Sequence, residues 1–504
     1  MFPQADLSLS PRAQGGATSA YRPRDPTQTL LYRVIQDYFK SFVRDRAEEG
    51  RFLPAHVIRE FESFLGCGIL ANGFMRLKCG SCRHEKLVAF SCKRRGFCSS
   101  CGSRRMSEQA AFLSDWVLPV APIRQWVVSF PIQLRYWMAR DSRLLGNILA
   151  IVIRAVMGFQ RKGASLRGFK SGESGSVTLV QRFGGSANLN IHFHTLMIEG
   201  VYREEGESIL FQALKAPSNE DVRGVLAQIQ KRVVRALKRR GYVLERNSES
   251  NESEYPEEAE LLLTDLCQAA SVQNRIALGE NAGQRVRKLG SFGIDGEPIF
   301  QEGSRCASLG GFSIHANTAV EANEKDRLEK LCRYVTRPPI AEMRLQESKD
   351  GGIIYRFKKP WSDGTQAVYF TPQEFIEKLV ALIPPPRIHL TRFHGVLGPH
   401  HRLRSHVVPQ QPEEKSAETP SEAGEVKKTR DPRRLSWSEL LKRVFQIDLT
   451  ICPDCGGTLK FIATIQERSV VEQILSHLGL PTEPPTFHPP RSPPQVALWD
   501  EFSA

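Results

Sequence analysis

Two histidines separated by a single residue, His192-Phe193-His194, stand in the stretch NLNIHFHTLM. Alternate residues of a strand share a face, so Asn190, His192 and His194 point one way while Ile191 and Phe193 point into a core. Two imidazoles on one face are what a two-histidine divalent-metal site requires. The same spacing also fits a pair of solvated histidines on a half-buried strand. The neighbourhood favours the metal. VTLVQRFGGSANLNIHFH reads as two strands joined by the turn GGSAN, and folding that hairpin back sets Gln181 opposite His192. An amide oxygen beside two imidazoles gives a three-ligand site open to water and a phosphate oxygen. His315, on a strand just before a later helix, competes with Gln181 for the third position. Gln181 is the favoured ligand.

A tyrosine supplies the second piece of chemistry. Leu-Cys-Arg-Tyr334-Val-Thr-Arg-Pro-Pro ends a predicted helix whose apolar stripe is Leu328, Leu331, Cys332 and Val335. Such a tyrosine is ordinarily an interfacial packing residue. Beside a two-histidine site and a basic field it becomes a candidate nucleophile. A phenol with a pKa of about 10 needs nearby cations or a metal to stabilise its phenolate. Tyr202, Tyr355 and Tyr369, on or near predicted strands, are its rivals.

The third piece is cysteine. Cys79-Gly-Ser-Cys82 and Cys98-Ser-Ser-Cys101 are two CxxC pairs. Each can put two thiolates on one turn, and together they predict a closed tetrahedral site for structural Zn2+. Cys67 and Cys92 are spare, and either could replace one of the four; His84 is a weaker substitute. The surrounding Lys93, Arg94 and Arg95 make the expected zinc module a phosphate-contacting surface. Near the other end, Cys452-Pro-Asp-Cys455 is half a zinc ribbon, which would need His477, His488 or another chain to be completed.

These groups lie in a 504-residue chain, long enough for two to four units. With 69 Lys and Arg against 55 Asp and Glu, its net charge of +14 points to a polyanionic partner. A hydrophobic content of 41% excludes a wholly disordered chain. No stretch reads as a membrane span, and the opening MFPQADLSLSPRAQGG has no apolar signal region, so a cytoplasmic location is expected. The pattern divides into a disordered tail (1–25), a helical and zinc-binding region (26–118), a strand-rich region (119–408), a linker (409–433), a small CxxC unit (434–480) and a Pro-rich tail. An acidic surface insertion falls at 246–260. Helices are expected over Thr27–Glu49, Pro54–Leu65, Met106–Leu118, Leu144–Arg161, Glu220–Arg240 and Asn323–Thr336. Strands are expected in QWVVSFPI, SVTLVQRF, NLNIHFHTLMIEG and SILFQA.

The segments SCKRRGFCSSCGSRRM, the HFH strand, RYVTRPPIAEMRL, HLTRFHGVLGPHHRLRSHVVP and LLKRVFQIDLTICPDCGGTLKFIATI together resemble the IS91 family of insertion-sequence transposases, over residues 26–480. That family belongs to the HUH endonucleases. The resemblance implies an α+β fold: an HUH-type catalytic domain with a central antiparallel sheet, preceded by a helical zinc-binding domain. It implies a DNA transposase that nicks and rejoins single-stranded DNA through a 5′-phosphotyrosine in rolling-circle transposition, nucleoid-associated in the cytoplasm. His192 and His194 match the ligands of a catalytic Mg2+ or Mn2+, and Tyr334 matches the nucleophile. Arg327, Lys330, Arg333 and Arg337 are candidate DNA or transition-state contacts. Two-tyrosine members carry another tyrosine four residues upstream, where this chain has Lys330, so it resembles a one-tyrosine member. A phosphodiesterase that uses water, and a silent zinc DNA-binding protein, are the competing classes.

Overall fold

The computed structural model describes residues 25–244, 262–290, 303–410, 431, 433, 435–445 and 448–490. The expected tail up to residue 24, the acidic insertion and most of the linker lie outside the described residues, as does 491–504.

The amino-terminal part begins with α1 (Leu30–Glu48) and α2 (Ala55–Leu65). Thr29 caps α1 by accepting from the Tyr32 amide, which satisfies one of the orphan N–H groups of the first turn. A hairpin of β1 (Phe74–Cys79) and β2 (Glu85–Ala89) follows, then α3 (Ser99–Trp116). The expected start at Met106 is seven residues too late. Cys98 is the N-cap of α3, and the CxxC that reads as a loop is its first turn.

The central region runs β3 (Ile123–Ser129), α4 (Ile132–Arg140), α5 (Ser142–Ser165), β4 (Gly175–Phe183), β5 (Leu189–Ile198), β6 (Gly200–Glu205), β7 (Ser208–Ala213), α6 (Asn219–Lys238), α7 (Leu263–Val272), β8 (Arg287–Leu289), β9 (Cys306–Leu309), β10 (Phe312–His315), β11 (Ala319–Val320) and α8 (Lys325–Val335). After it come β12 (Leu345–Glu347), β13 (Ile353–Arg356), β14 (Ala367–Phe370), α9 (Pro372–Leu382), β15 (Thr391–Gly395), α10 (Arg404–Val407), α11 (Trp437–Phe445), β16 (Leu459–Ile465) and α12 (Arg468–His477). The fold is mixed α+β with antiparallel sheets.

The sheet that matters for chemistry has the order β15-β4-β5-β3-β10-β9, with β11 also pairing β3. Its strands β4, β5 and β3 are buried on both faces, so polar residues there have to be satisfied by one another or by a ligand. On one face Ile191, Phe193 and Met197 pack with Val128 and Phe130 against α5 and α6. Full burial of a side chain such as Phe193 contributes roughly 1.5–3 kcal/mol. On the other face Val177, Leu179 and Leu196 pack against α3 and against Leu328, Leu331, Cys332 and Val335 of α8. The α8 stripe is the one its sequence spacing predicts. Pro338 and Pro339 follow just beyond the helix end.

By length and composition alone, α5 is apolar enough to cross a membrane. Its Leu144, Leu145, Ile148, Leu149, Val152 and Val156 are instead buried in the core beneath the sheet.

The CxxC segment near the carboxyl end does not stand alone. Strand β16, absent from the sequence expectation, pairs antiparallel with β1 from Phe74↔Ile465 to Cys79↔Leu459, giving a sheet of order β16-β1-β2. Part of the Pro-rich tail is also docked. Phe487 packs on Phe39 with ring centres 5.2 Å apart, and His488 pairs with Asp37.

Candidate active site and metal centres

Antiparallel register assembles the histidine face. β4 pairs Gln181 with His192, and β3 pairs Ser129 with His192 and Val127 with His194. Both imidazoles are buried, with 2% exposure each. Their Nε2 atoms lie 3.1 Å apart. Two nitrogens bound at right angles to one ion at about 2.1 Å would stand about 3.0 Å apart, so the pair is already spaced as cis ligands. Burial pushes His192 down to about 3, helped by the charges of Arg337 and Arg135. Burial likewise holds His194 well below its ordinary value. Both rings are therefore neutral at pH 7, the form that binds metal.

The outer nitrogens are held as well. His192 Nδ1 lies 2.9 Å from the Asn190 carbonyl, which accepts, so Nδ1 carries the proton and Nε2 keeps its lone pair. His194 Nδ1 lies 2.6 Å from Nε2 of Gln125.

Three buried oxygens near His192 have no hydrogen-bond partner among the described residues: Gln181 Oε1, Ser129 Oγ and Asn190 Oδ1. Gln181 and Ser129 flank His192 on the neighbouring strands, and Asn190 precedes it by two on its own strand. A buried acceptor without a donor costs roughly 1–3 kcal/mol. A cation among these oxygens and the two Nε2 lone pairs would satisfy them, so the donor set fits a hard divalent ion. His315 pairs across from Val127, with β3 between it and His194; two strand spacings place it roughly 10 Å away.

Tyr334 is brought to this face by α8. Its ring meets that of His194 edge to face, with centroids 5.9 Å apart at 87°. The Arg337 guanidinium lies 4.5 Å from the Tyr334 ring centre and 5.6 Å from that of Phe183. Gln181 Nε2 donates to the carbonyl of Val335 at 2.8 Å, tying strand to helix. The rival tyrosines are engaged elsewhere. Tyr369 donates to Asp350, Tyr355 accepts from the Ala341 amide, and Tyr202 packs on Phe211. Of the four cations expected at the tyrosine helix, Arg337 is seated over the tyrosine. Arg327 pairs with Glu324, and Arg333 lies 4.0 Å from Glu329. Lys330 is half-buried one turn before Tyr334.

The cysteines regroup. The site expected from Cys79, Cys82, Cys98 and Cys101 does not form. Two clusters form instead: Cys67, Cys92, Cys98 and Cys101 in one, Cys79, Cys82, Cys452 and Cys455 in the other. The reason is the hairpin between the CxxC pairs. Cys79 and Cys82 are at its tip, whereas Cys67 and Cys92 flank its base. Five residues at about 3.3 Å each separate tip from base by roughly 16 Å, too far for one ion to span.

In the first cluster the Sγ atoms of Cys67 and Cys92 lie 3.6 and 3.4 Å from that of Cys101, and Cys98 lies 3.6 Å from Cys67. Four sulfurs on one zinc at about 2.3 Å would stand about 3.8 Å apart, against about 2.05 Å in a disulfide. Amides of Cys92 and Lys93 point at Cys67 and Cys101 sulfur, and Glu60 accepts from the Gly96 amide at 2.6 Å to hold the turn. Of the expected DNA-facing cations, Lys93 and Arg95 are exposed and Arg94 is half-buried; Arg94 donates to Ser63 and Arg95 to the Ile388 carbonyl.

The histidine- and arginine-rich run 387–406 spends several of its charges on the protein. His401 pairs with Glu173, and Arg402 with Glu173 and Glu204.

Comparison with known proteins matches these two regions separately. The family model described as "Putative transposase" covers residues 175–405, from the start of the strand that carries Gln181 to beyond Tyr334. The model described as "Transposase zinc-binding domain" covers residues 34–130 and contains the whole first cysteine cluster, making zinc the structural metal of that region. No curated protein and no solved structure matches the chain. With both regions matched in this order, the chain belongs to the IS91 family of transposases.

Proposed function

We propose that this transposase is an HUH-type nuclease and strand transferase that cuts single-stranded DNA with Tyr334 and rejoins it in rolling-circle transposition. The observation that carries the reading is Tyr334 packed on His194, beside two neutral imidazoles and three buried oxygens that have no partner among the described residues. His192, His194 and Gln181 would hold Mg2+ or Mn2+, which supplies charge neutralisation at the scissile phosphate.

The protein groups do the rest. Asn190 fixes the His192 tautomer through its carbonyl. Gln125 Nε2 faces His194 Nδ1; rotating that amide end for end would let its oxygen accept from Nδ1–H, fixing the second tautomer and freeing the second Nε2 lone pair. Arg337 stabilises a phenolate at Tyr334 and neutralises phosphate charge. The Tyr334 oxygen attacks phosphorus in line and the 3′ oxygen leaves, giving a 5′-phosphotyrosine and a free 3′-OH. Because the new ester keeps the phosphodiester energy, a DNA 3′-OH reverses the step and joins strands. The net charge of +14 suits a cytoplasmic protein working along DNA.

Incubation with labelled single strands from the element ends, with Mg2+, should give a covalent adduct on denaturing gels that maps to Tyr334. Tyr334→Phe should abolish the adduct while retaining DNA binding. Cutting that persists in Tyr334→Phe would replace the tyrosine by water, and an adduct on another tyrosine would overturn the assignment.

A further inference from the structure

We infer that Cys79, Cys82, Cys452 and Cys455 bind a second zinc, which clamps the carboxy-terminal segment onto the amino-terminal hairpin. The zinc-binding family match ends at residue 130 and contains half of these ligands.

The geometry is that of two facing knuckles. Cys79 Sγ lies 3.5 Å from Cys455 Sγ, and Cys82 Sγ lies 3.5 Å from Cys452 Sγ. Those spacings are too long for disulfides and close to the edge of a zinc–tetrathiolate tetrahedron. The two turns repeat one device. The Ser81 amide points at Cys79 sulfur and the Gly457 amide at Cys455 sulfur, each at 3.4 Å. Such N–H groups stabilise thiolates of the kind a metal requires.

The backbone is shaped for this approach. The Gly80 amide donates across the interface to the Thr458 carbonyl at 3.2 Å. A Cβ on Gly457 would fall 2.7 Å from Ser81 Oγ and 3.2 Å from two of the four sulfurs, so only glycine lets the knuckles meet. His84 and Asp454, one from each knuckle, pair at 2.7 Å beside the cluster.

The apolar surface available to hold the segment is small. Leu459 and Leu77 pack on Cys79 and Cys452, and Val471 and Leu475 of α12 pack on Phe74. Phe461 and Ile462 of β16 remain 60% and 50% exposed. A core of that size needs a staple, and four convergent thiols provide one.

The clamp reaches the tyrosine helix. Arg443, on α11 just ahead of the second knuckle, pairs with Asp115 of α3 and with Glu329 of α8. Metal occupancy therefore bears on how firmly α8 is braced.

Metal analysis of the full-length protein tests this. Two zinc ions per chain are expected. Cys82→Ser and Cys455→Ser should each fall to one, and the double variant Cys82→Ser/Cys455→Ser should also hold one, because both remove the same ion. Cys98→Ser/Cys455→Ser should hold none. Cys455→His, which keeps a ligand, should return to two and shows that any loss is not general misfolding. One zinc in the unaltered chain, or two in Cys455→Ser, would overturn the inference.

Discussion

Gln181 on β4 donates to the main-chain carbonyl of Val335, the residue after Tyr334, over 2.8 Å. One amide thus does two things. Its nitrogen holds the end of α8 down on the sheet, and its buried oxygen has no hydrogen-bond partner among the described residues.

Gln181→Leu keeps the volume and removes both functions. Losing the bond to Val335 should cost about 1–3 kcal/mol, since a buried carbonyl is left unpaired. Adduct formation should fall further than that loss implies, with DNA binding unchanged. Denaturant melts beside an adduct assay check it; an unaffected adduct yield would remove Gln181 from the metal site.

Cys92 looks spare in the sequence but is one of the four thiols of the first cluster. Cys92→Ser should release one zinc ion and destabilise the packing of α2 on the start of α3, where Phe61 and Phe64 meet Phe97. Metal analysis with proteolysis of the amino-terminal region reads both effects.

Arg124 and Glu199 form a buried bidentate pair at 2.6 and 2.9 Å beneath the start of β3, and Arg124 also donates to the Ala316 carbonyl. Arg124→Met should cost about 3–5 kcal/mol by stranding a buried carboxylate. Arg124→Met/Glu199→Leu should recover most of that loss. Equal losses in both variants would show that the arginine matters for packing rather than charge.

Asp115 gives a pH signature. Burial alone would raise its carboxyl, but hydrogen bonds from Arg443 and Lys325 outweigh burial and hold it below its ordinary value. A depressed folded value adds stability above the unfolded pKa of about 3.9 and loses it as pH falls through the lower folded one. The unaltered protein should exceed Asp115→Asn by about 1–3 kcal/mol at pH 7. The gap should close as pH falls below about 4, through the depressed folded value. Paired melts across that range decide it; a gap that stays constant would mean the charge is irrelevant.

The histidine face was legible because a period of two fixes which residues share a face and a Gly-rich turn marks the hairpin; the pairing of Gln181 with His192 also needs a one-residue register shift between Gln181 and Phe183, which the turn alone does not set. The α8 stripe and its Pro-Pro stop were legible for similarly local reasons. The cysteine partition was not. Six of the eight thiols lie within 35 residues, yet a rigid hairpin pushes Cys79 and Cys82 away from their sequence neighbours. Their partners are set by β16, whose exposed Phe461 and Ile462 give it no clean alternation. The part played by Ser129 and Gln125 also escaped the sequence, because their strand aligns with the histidines only through pairing across a long crossover.

Cys79 meets its partner Cys455 after an interval of 376 residues. At about 5–20 residues per second, a ribosome needs roughly 20–75 seconds to make that stretch. Throughout that time β1 has one open edge and its thiols have half a set of companions. A message cut short anywhere before the last knuckle leaves that edge permanently unpaired. Final closure of the amino-terminal ribbon thus reports that synthesis has passed the second knuckle.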